Sequence, residues 1–198
     1  MKWEILDDRV VYEGFFRVRS LRLSHSRFQG GEPLEIRREL LERGHAAAVL
    51  PYDAVRDRVI LIEQFRVGAL ESERGPWLME VVAGMIAPGE RSEDVVRREA
   101  LEEAGCQLGE LEYLYEYHAT PGGASERVSL YVGQADSAGI GGIHGLDDEG
   151  EDIRVHVLDA EEAFARMDNG LMDNAMTLIA LLWLRINRDT LREKWGGQ

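Results

Sequence analysis

The sequence predicts an α/β fold with a mixed sheet, preceded by an N-terminal antiparallel β extension. Apolar runs with strand character recur along the chain, and segments with helical spacing interrupt and close them. With 198 residues the chain is long enough for one well-buried domain plus an extension, and it contains no internal repeat or low-complexity linker. We therefore expect the extension at residues 1–44 and the main domain at residues 45–198.

The extension is expected to hold two strands. Residues 10–23 are expected to form one strand, because Phe16 and Val18 alternate with Arg17 and Arg19. A turn at Gly30-Gly31 then leads to a second strand around residues 34–41. Successive strands joined by a short turn predict antiparallel pairing.

The main domain is expected to begin with two buried strands, Ala46 to Pro51 and Val59 to Phe65, on either side of a polar turn. Trp77 to Val82 predicts a further strand, and the acidic, glycine-rich segment Gln134 to Asp152 predicts a loop. The remaining predicted strands are Leu111 to Tyr117, Arg127 to Val132 and Ile153 to Leu158.

Residues 92–104 are predicted to form a helix. Ser92 is a candidate N-cap, acidic residues occupy the first turn, where the helix dipole favours them, and Gly105 supplies the stop. Two further helices are expected at about 160–168 and 173–194. Residues at helical spacing are expected to pack these helices on the core: Val96, Ala100 and Ala104 in the first, and Leu178, Leu181, Leu182 and Arg185 in the last.

Composition argues against several classes of partner. A net charge of −14 disfavours nucleic acid and anionic membranes, because both select for dense Lys and Arg. The single cysteine, Cys106, excludes a disulfide framework and predicts a small core residue. The N-terminus lacks an apolar signal region, and the longest apolar run is too short to span a membrane, so a cytoplasmic location is expected.

An acidic cluster on the central helix predicts a divalent-metal site. Glu99, Glu102 and Glu103 are spaced i, i+3 and i+4, so they fall within one arc of the helix. Their mutual repulsion would be relieved by a hard cation such as Mg²⁺ or Mn²⁺, which takes oxygen ligands. The alternative is an ordinary solvated acidic face. Arg98 is expected to hold one of these carboxylates or the preceding loop.

The surrounding spacing favours the metal site. Gly84 is followed after five residues by Glu90, and after seven more by the run Arg98-Glu99-Ala100-Leu101-Glu102-Glu103-Ala104-Gly105-Cys106. This run fills every fixed position of the pattern G-x5-E-x7-R-E-U-x-E-E-x-G-U, in which U is apolar. The chain thus resembles the Nudix hydrolases.

The resemblance extends over nearly the whole chain to one branch of that family, the bacterial ADP-ribose pyrophosphatases. Pro121, fifteen residues after Cys106, matches the proline that distinguishes this branch. The segments that carry the resemblance are GFF at 14–16, RRELLERGHAAAVLP at 37–51, LIEQFR at 61–66, PWLMEVVAGMI at 76–86, TPGGASER at 120–127 and GLDDEGEDIRVHV at 145–157.

The resemblance implies a Nudix α/β/α sandwich, a homodimer whose N-terminal strands reach the other subunit, and hydrolysis of ADP-ribose to AMP and ribose 5-phosphate. Two alternatives stay open. A sister enzyme would act on another nucleoside diphosphate sugar, such as GDP-mannose or ADP-glucose. A non-catalytic module would sense ADP-ribose instead.

By the same resemblance, the Ala83 carbonyl, Glu99 and Glu103 would hold Mg²⁺, or Mn²⁺, with Glu102 close by. Glu102 and Glu103 belong to the implied catalytic set, together with Glu149 as general base. Glu149 has acidic neighbours within reach of the same loop, and among these Glu151 is the next candidate.

Five residues are implied to bind substrate. Arg66 matches an arginine directed at the phosphates, Phe15 an aromatic that stacks on adenine, and Arg38 an arginine that contacts the base. Glu126 matches a residue contributed across the dimer interface, and Met85 lies in the matching segment before the central helix. Packing, a surface charge or a local salt bridge would be the non-functional alternatives.

Overall fold

The computed structural model describes residues 1–146 and 150–197 of the chain. The chain divides into two compact units, one made of Met1–His45 with Tyr117–Arg127 and the other of Ala46–Glu116 with Val128–Gln198. The first unit therefore contains the expected extension and also a later segment. A separate functional role for residues 1–44 stays a prediction.

The first unit contains a three-stranded antiparallel sheet in the order β1-β2-β3. Its strands are β1 (Trp3–Glu13), β2 (Arg17–His25) and β3 (Leu34–Glu42). The prediction of one strand over residues 10–23 is wrong, because the chain reverses between Glu13 and Arg17, where the Gly14 N–H donates to the Phe16 carbonyl at 2.9 Å. The predicted strand at 34–41 is confirmed.

In the described part of the chain the main sheet has eight strands. Its hydrogen-bonded path runs β10-β11-β5-β4-β9-β8, with β6 paired to β5 and β7 to β4. The pairing of β4 with β9 is parallel, whereas β4 with β7 and β5 with β11 are antiparallel, so the sheet is mixed as predicted. The strands are β4 (Ala46–Asp53), β5 (Arg58–Phe65), β6 (Trp77–Glu80), β7 (Val82–Met85), β8 (Leu111–His118), β9 (Arg127–Gln134), β10 (Gly142–His144) and β11 (Ile153–Asp159).

Two strand predictions in this sheet need correction. The predicted strand over 77–82 is two short strands, because the chain breaks at Val81, whose N–H donates to the Thr177 hydroxyl at 3.0 Å instead of to a sheet partner. The predicted loop over 134–152 contains the short strand β10. The break at Val81 sets the direction of β7, which leads to the central helix.

Among residues 1–146 and 150–197, three α-helices accompany the sheet: α1 (Ser92–Ala104), α2 (Ala160–Asp168) and α3 (Ala175–Trp195). Their predicted positions are confirmed within two residues. Gly105 ends α1 in the left-handed conformation, with φ of 60°, as a glycine C-terminal stop requires. None of the helices in the described part of the chain is long and apolar enough to cross a membrane.

The N-terminal end of α1 differs from its prediction. Arg91 is the N-cap and makes no side-chain capping hydrogen bond. Ser92 is already helical, and its hydroxyl lies 2.7 Å from the Tyr131 hydroxyl on β9. The expectation that Ser92 caps the helix is therefore wrong, because a tertiary partner takes its side chain.

Helix α1 packs on one face of the sheet through its apolar stripe. Val96, Ala100 and Ala104 are fully buried, and Cys106 is 1% exposed in the same cluster, which confirms both core predictions. The buried cluster around α1 includes every second residue of parts of β4 and β5. The residues between them therefore point to the opposite face of the sheet, where α2 and α3 contact it. The predicted α/β class is confirmed.

The buried stripe of α3 is rotated from its predicted position. Leu182 is 49% exposed, so its expected role in packing is wrong. Leu181 is buried as predicted, and Thr177, Ala180 and Leu184 complete the stripe at spacings of three and four residues.

The turn between β4 and β5 is held by one buried carboxylate. Asp53 is 1% exposed, and its Oδ1 accepts hydrogen bonds from the Val55 and Arg56 amides. Its Oδ2 accepts from the Ser137 amide and hydroxyl and from the Arg56 guanidinium. Burial raises the pKa of Asp53, but these hydrogen bonds outweigh it and lower the pKa to about 2. The ionised form therefore stabilises the fold.

We expect the stability supplied by Asp53 to disappear in acid. Because the folded-state pKa lies below the ordinary value of 3.8, this stability is fully present above 3.8 and is lost as the pH falls towards about 2. The shift corresponds to roughly 2 kcal/mol of unfolding free energy. Urea denaturation of the wild type and of Asp53→Asn across this pH range measures it. The difference between the two proteins should shrink with acidification, and a difference independent of pH would contradict the assignment.

Candidate active site

Helix α1 turns Glu99 and Glu103 towards strand β7. Glu103 is 3% exposed, and its Oε2 accepts a hydrogen bond from the Ala83 N–H at 3.2 Å. The side chains of Glu99 and Glu102 are 13% and 32% exposed. This arc of α1 is therefore not the solvated acidic face of the alternative interpretation, since two of its three carboxylates are largely removed from water.

The surroundings of Glu103 disfavour the charged form of its carboxyl group. Burial raises its pKa to about 8, and the charges of Glu99 and Glu151 push it in the same direction. The Ala83 amide and the charge of Arg66 oppose the rise without cancelling it. A positive charge beside Glu103 would stabilise the charged form.

Glu99 lies against the backbone of Gly84. A Cβ atom built on Gly84 would stand 1.9 Å from Oε1 of Glu99, 2.2 Å from its Cδ and 2.5 Å from its Cγ. Only glycine leaves room for this side chain. Burial raises the pKa of Glu99, Arg98 lowers it, and the charges of Glu102 and Glu151 raise it further.

Arg98 contacts three carboxylates, whereas one carboxylate or the preceding loop was expected. Its NH1 group lies 2.7 Å from Glu99 and 3.3 Å from Glu102, and its NH2 group lies 3.4 Å from Glu90. Glu90 also accepts from the Ala87 N–H at 3.1 Å, so the loop before α1 is tied to the helix. Arg98 thus restrains both the helix face and the loop.

The fit of these residues to a divalent cation follows from their chemistry. Within residues 1–146 and 150–197, no three His, Cys, Asp or Glu side chains are arranged to hold a metal ion. The Ala83 amide contacts one oxygen of Glu103, and Arg98 contacts one oxygen of Glu99. Even so, the buried Glu103 and the partly buried Glu99, both with raised pKa, lie beside Ala83 and Gly84, and all the donors are oxygens. This set suits Mg²⁺ or Mn²⁺.

Arg66 directly follows the last residue of β5 and contacts Glu80. Its Nε donates to Oε2 of Glu80 at 2.8 Å, its side chain is 41% exposed, and its charge lowers the pKa of Glu103. Met85, the last residue of β7, is 38% exposed. The structure therefore brings the predicted residues Ala83, Glu99, Glu103 and Arg66 into one neighbourhood.

Three of the predicted substrate residues lie in the first compact unit. Phe15 is 92% exposed and makes an edge contact with Phe16. Arg38 is exposed on β3, and its guanidinium donates to the carbonyl of the preceding residue. Glu126, with a side chain only 12% exposed, forms an ion pair with Arg43 at 3.4 Å. The salt bridge that was the alternative for Glu126 thus exists, with Arg43 as its partner.

The predicted general base, Glu149, lies outside the described residues. Its rival Glu151 is described, and its Oε2 accepts from the Leu146 N–H at 3.2 Å. The charge of Glu151 raises the pKa of both Glu99 and Glu103. A fourth carboxylate therefore contributes to the negative potential of the site.

Sequence reasoning missed Glu80 and Asn174, which contact each other next to Arg66. Asn174 Nδ2 donates to Oε1 of Glu80 at 2.7 Å. The signal for Glu80 was present, since a single glutamate within the apolar stretch Trp77 to Val82 is an unusual charge. Nothing in the sequence paired it with the start of α3, 94 residues away.

Comparisons with known proteins bear on this arrangement. A model of the NUDIX domain matches residues 42–177. An ADP-ribose pyrophosphatase of Escherichia coli (strain K12) is 48% identical over 193 residues, covering 98% of this chain and 92% of that protein. The ADP-ribose pyrophosphatase of Haemophilus influenzae is 46% identical over 195 residues, covering 97% and 90%.

More distant similarities extend the comparison. A GDP-mannose pyrophosphatase of Enterobacter sp. (strain 638) is 32% identical over 191 residues, covering 94% of this chain and 97% of that protein. A crystal structure of an ADP compounds hydrolase superposes with a TM-score of 0.72 at 22% identity, covering 99% of this chain and 97% of that one. At that identity the likeness concerns the fold alone.

Proposed function

Because this chain belongs to the Nudix family and is a Nudix pyrophosphatase, we propose that it hydrolyses the pyrophosphate bond of ADP-ribose to AMP and ribose 5-phosphate. The observation that carries the proposal is 48% identity over 98% of the chain to an ADP-ribose pyrophosphatase, against 32% to a GDP-mannose pyrophosphatase. The complete pattern from Gly84 to Cys106 and the buried carboxylate of Glu103 on α1 support it.

The acidic face of α1 is the proposed cation site. The Ala83 carbonyl, Glu99 and Glu103 would hold Mg²⁺, or Mn²⁺, with Glu102 close by. A divalent cation bound there supplies neutralisation of the bridging phosphates and a lowered pKa for a bound water. Glu103 has the strongest need for such a charge, since its pKa of about 8 reflects an uncompensated buried carboxylate.

The chain's own side chains position the substrate and the carboxylates. Arg66 offers the terminal nitrogens of its guanidinium to the phosphates, a geometry that suits paired oxygens. Arg98 orients Glu99 and Glu102 through its two short contacts. Phe15 and Arg38 are proposed to bind the adenine base, Met85 to contact the substrate, and Glu126 to act from the partner of a homodimer.

We propose Glu149 as the general base that accepts the proton of the attacking water. Glu149→Gln is expected to lower kcat by roughly 10²- to 10⁴-fold with little change in KM, the usual scale for losing a general base. Glu151→Gln is the matched comparison, because the same isosteric change is made two residues away. Steady-state kinetics of both variants decide the assignment. A larger kcat loss in Glu151→Gln would move the role to Glu151.

The experiment that tests the proposed function is a comparison of kcat/KM at fixed Mg²⁺ for ADP-ribose, GDP-mannose, ADP-glucose, NADH and diadenosine polyphosphates, with identification of products and an EDTA control. We expect ADP-ribose to be preferred by at least about tenfold, or about 1.4 kcal/mol of transition-state free energy, and to yield AMP. Preference for another sugar nucleotide would refute the substrate assignment. Light scattering of the purified protein tests the proposed homodimer.

A further inference from the structure

Glu80 is the most completely buried carboxylate among those described near Arg66. It is 2% exposed at the end of β6, and three donors surround it. Oε2 accepts from Arg66 Nε at 2.8 Å and from Gln64 Nε2 at 3.4 Å, and Oε1 accepts from Asn174 Nδ2 at 2.7 Å. Three donors to one buried carboxylate indicate a defined geometry, because an unpaired buried carboxylate is costly.

Arg66 is held at one end only. Its backbone N–H donates to the Pro76 carbonyl at 2.8 Å, and its side chain uses only the inner nitrogen, Nε, for Glu80. Among the described residues, neither terminal nitrogen of the guanidinium has a protein acceptor in hydrogen-bond range. The two terminal nitrogens of a guanidinium can bind a phosphate in a bidentate manner. The hydrogen bond from Nε to Glu80 therefore fixes the direction in which these two nitrogens point.

The support of Glu80 comes from the first turn of α3. Asn174 is the N-cap of that helix, and its Oδ1 accepts from the Thr177 N–H at 3.3 Å while its Nδ2 donates to Glu80. Thr177 is fully buried, and its hydroxyl accepts from the Val81 N–H at the break between β6 and β7. One helical turn therefore anchors both Glu80 and the backbone two residues before Ala83.

We propose that Glu80 is a positioning residue for the hydrolysis reaction, which holds the Arg66 guanidinium towards the substrate phosphates and is itself anchored by Asn174 at the start of α3. The inference rests on the proposed function, because the phosphate contact of Arg66 is part of it. Glu80 does not touch substrate. It acts through Arg66, and its effect on turnover depends on that side chain.

A double-mutant cycle tests this dependence. In the wild-type background Glu80→Gln, which preserves shape and removes the charge, is expected to lower kcat/KM roughly 10- to 100-fold, as displacement of an aligned group does. In the Arg66→Ala background the same change is expected to have almost no further effect, since its target is gone. A purely structural role for Glu80 would instead lower activity by the same factor in both backgrounds. That additive result would overturn the proposal.

Two further variants keep the test decisive. Asn174→Ser retains an oxygen able to cap α3 but removes the hydrogen bond to Glu80, and it should lower kcat/KM in the same direction as Glu80→Gln. It replaces Glu80→Gln in the cycle if that variant does not fold. Glu63→Gln is the matched control, because it makes the same change on β5, where Glu63 pairs with Arg154 and His156. It should keep wild-type kcat/KM.

The outcome separates this inference from the proposed function. All kinetics use the full chain with Mg²⁺ and the substrate that the wild type turns over fastest. If that substrate is not ADP-ribose, the substrate proposal fails, while a non-additive cycle still supports the role of Glu80. If ADP-ribose is the substrate and the cycle is additive, the role of Glu80 fails alone.

Discussion

Replacing Glu103 by glutamine should abolish most of the hydrolase activity and leave the fold intact. Loss of one carboxylate from a cation site removes several kcal/mol of transition-state stabilisation, so kcat/KM should fall roughly 10³-fold. Glutamine has the same shape and keeps an oxygen acceptor for the Ala83 N–H. Because burial disfavours the charged form of Glu103 and raises its pKa to about 8, a neutral side chain is tolerated at this position, and the metal-free variant should unfold no earlier than the wild type.

Kinetics and thermal unfolding together check this expectation. Addition of Mg²⁺ to the EDTA-treated wild type should raise the Tm, because a ligand that binds the folded state stabilises it. The Glu103→Gln variant should show a much smaller rise. Glu93→Gln is the control on the same helix, since Glu93 lies in the first turn, 48% exposed and paired with Arg91. Wild-type turnover in Glu103→Gln would refute the proposed cation site.

Substituting Gly84 by alanine is expected to be the most damaging change of a single methyl group. The new Cβ would overlap Cγ, Cδ and Oε1 of Glu99, so the whole end of that side chain must leave its place. Gly84 does not have a positive φ, so alanine fits the backbone itself, and loss of glycine tends to stabilise a chain through its unfolded state. We therefore expect kcat/KM to fall roughly 10²-fold or more, as for a displaced reacting group, with an almost unchanged Tm.

Gly68→Ala provides the matched comparison for this variant. Nothing lies within 4 Å of a Cβ built on Gly68, and its φ is not positive, so the same methyl group should be harmless there. Steady-state kinetics and thermal unfolding of both variants measure the contrast. If Gly84→Ala turned over substrate as well as Gly68→Ala does, Glu99 would not need its observed position. Its role as a cation ligand would then be lost.

Local chemistry was sufficient to predict some elements of this protein. Helix α1 begins and ends at the predicted residues. The signals used for it, the spacing of its apolar stripe and the stop at Gly105, are local in the sequence. Predictions from neighbouring residues were wrong where a residue distant in the chain makes a hydrogen bond to the segment. Ser92 does not cap α1 because Tyr131 engages its hydroxyl, and the strand at 77–82 is broken because Thr177 takes the Val81 amide.

Some features of the candidate site could also be predicted from local sequence, and others could not. The spacing of Glu99, Glu102 and Glu103 along one helix places them on a common face, and no tertiary information is needed for that. The differences in burial and in charge compensation among these three glutamates come from the tertiary structure. Glu103 is buried and short of compensating charge, whereas Glu102 is more exposed and pairs with Arg98.

The sequence alone determined the family pattern, the α/β class, the three helices and the acidic face of α1, because each depends on residue spacing that a regular helix or strand converts directly into position. Only the tertiary structure decided which carboxylates lose their water, why residue 84 must be glycine, and what holds Arg66 in place. Those properties depend on close approaches between residues far apart in the chain, such as Glu80 with Asn174 and Gly84 with Glu99. Burial and packing set these approaches, and no local pattern encodes them.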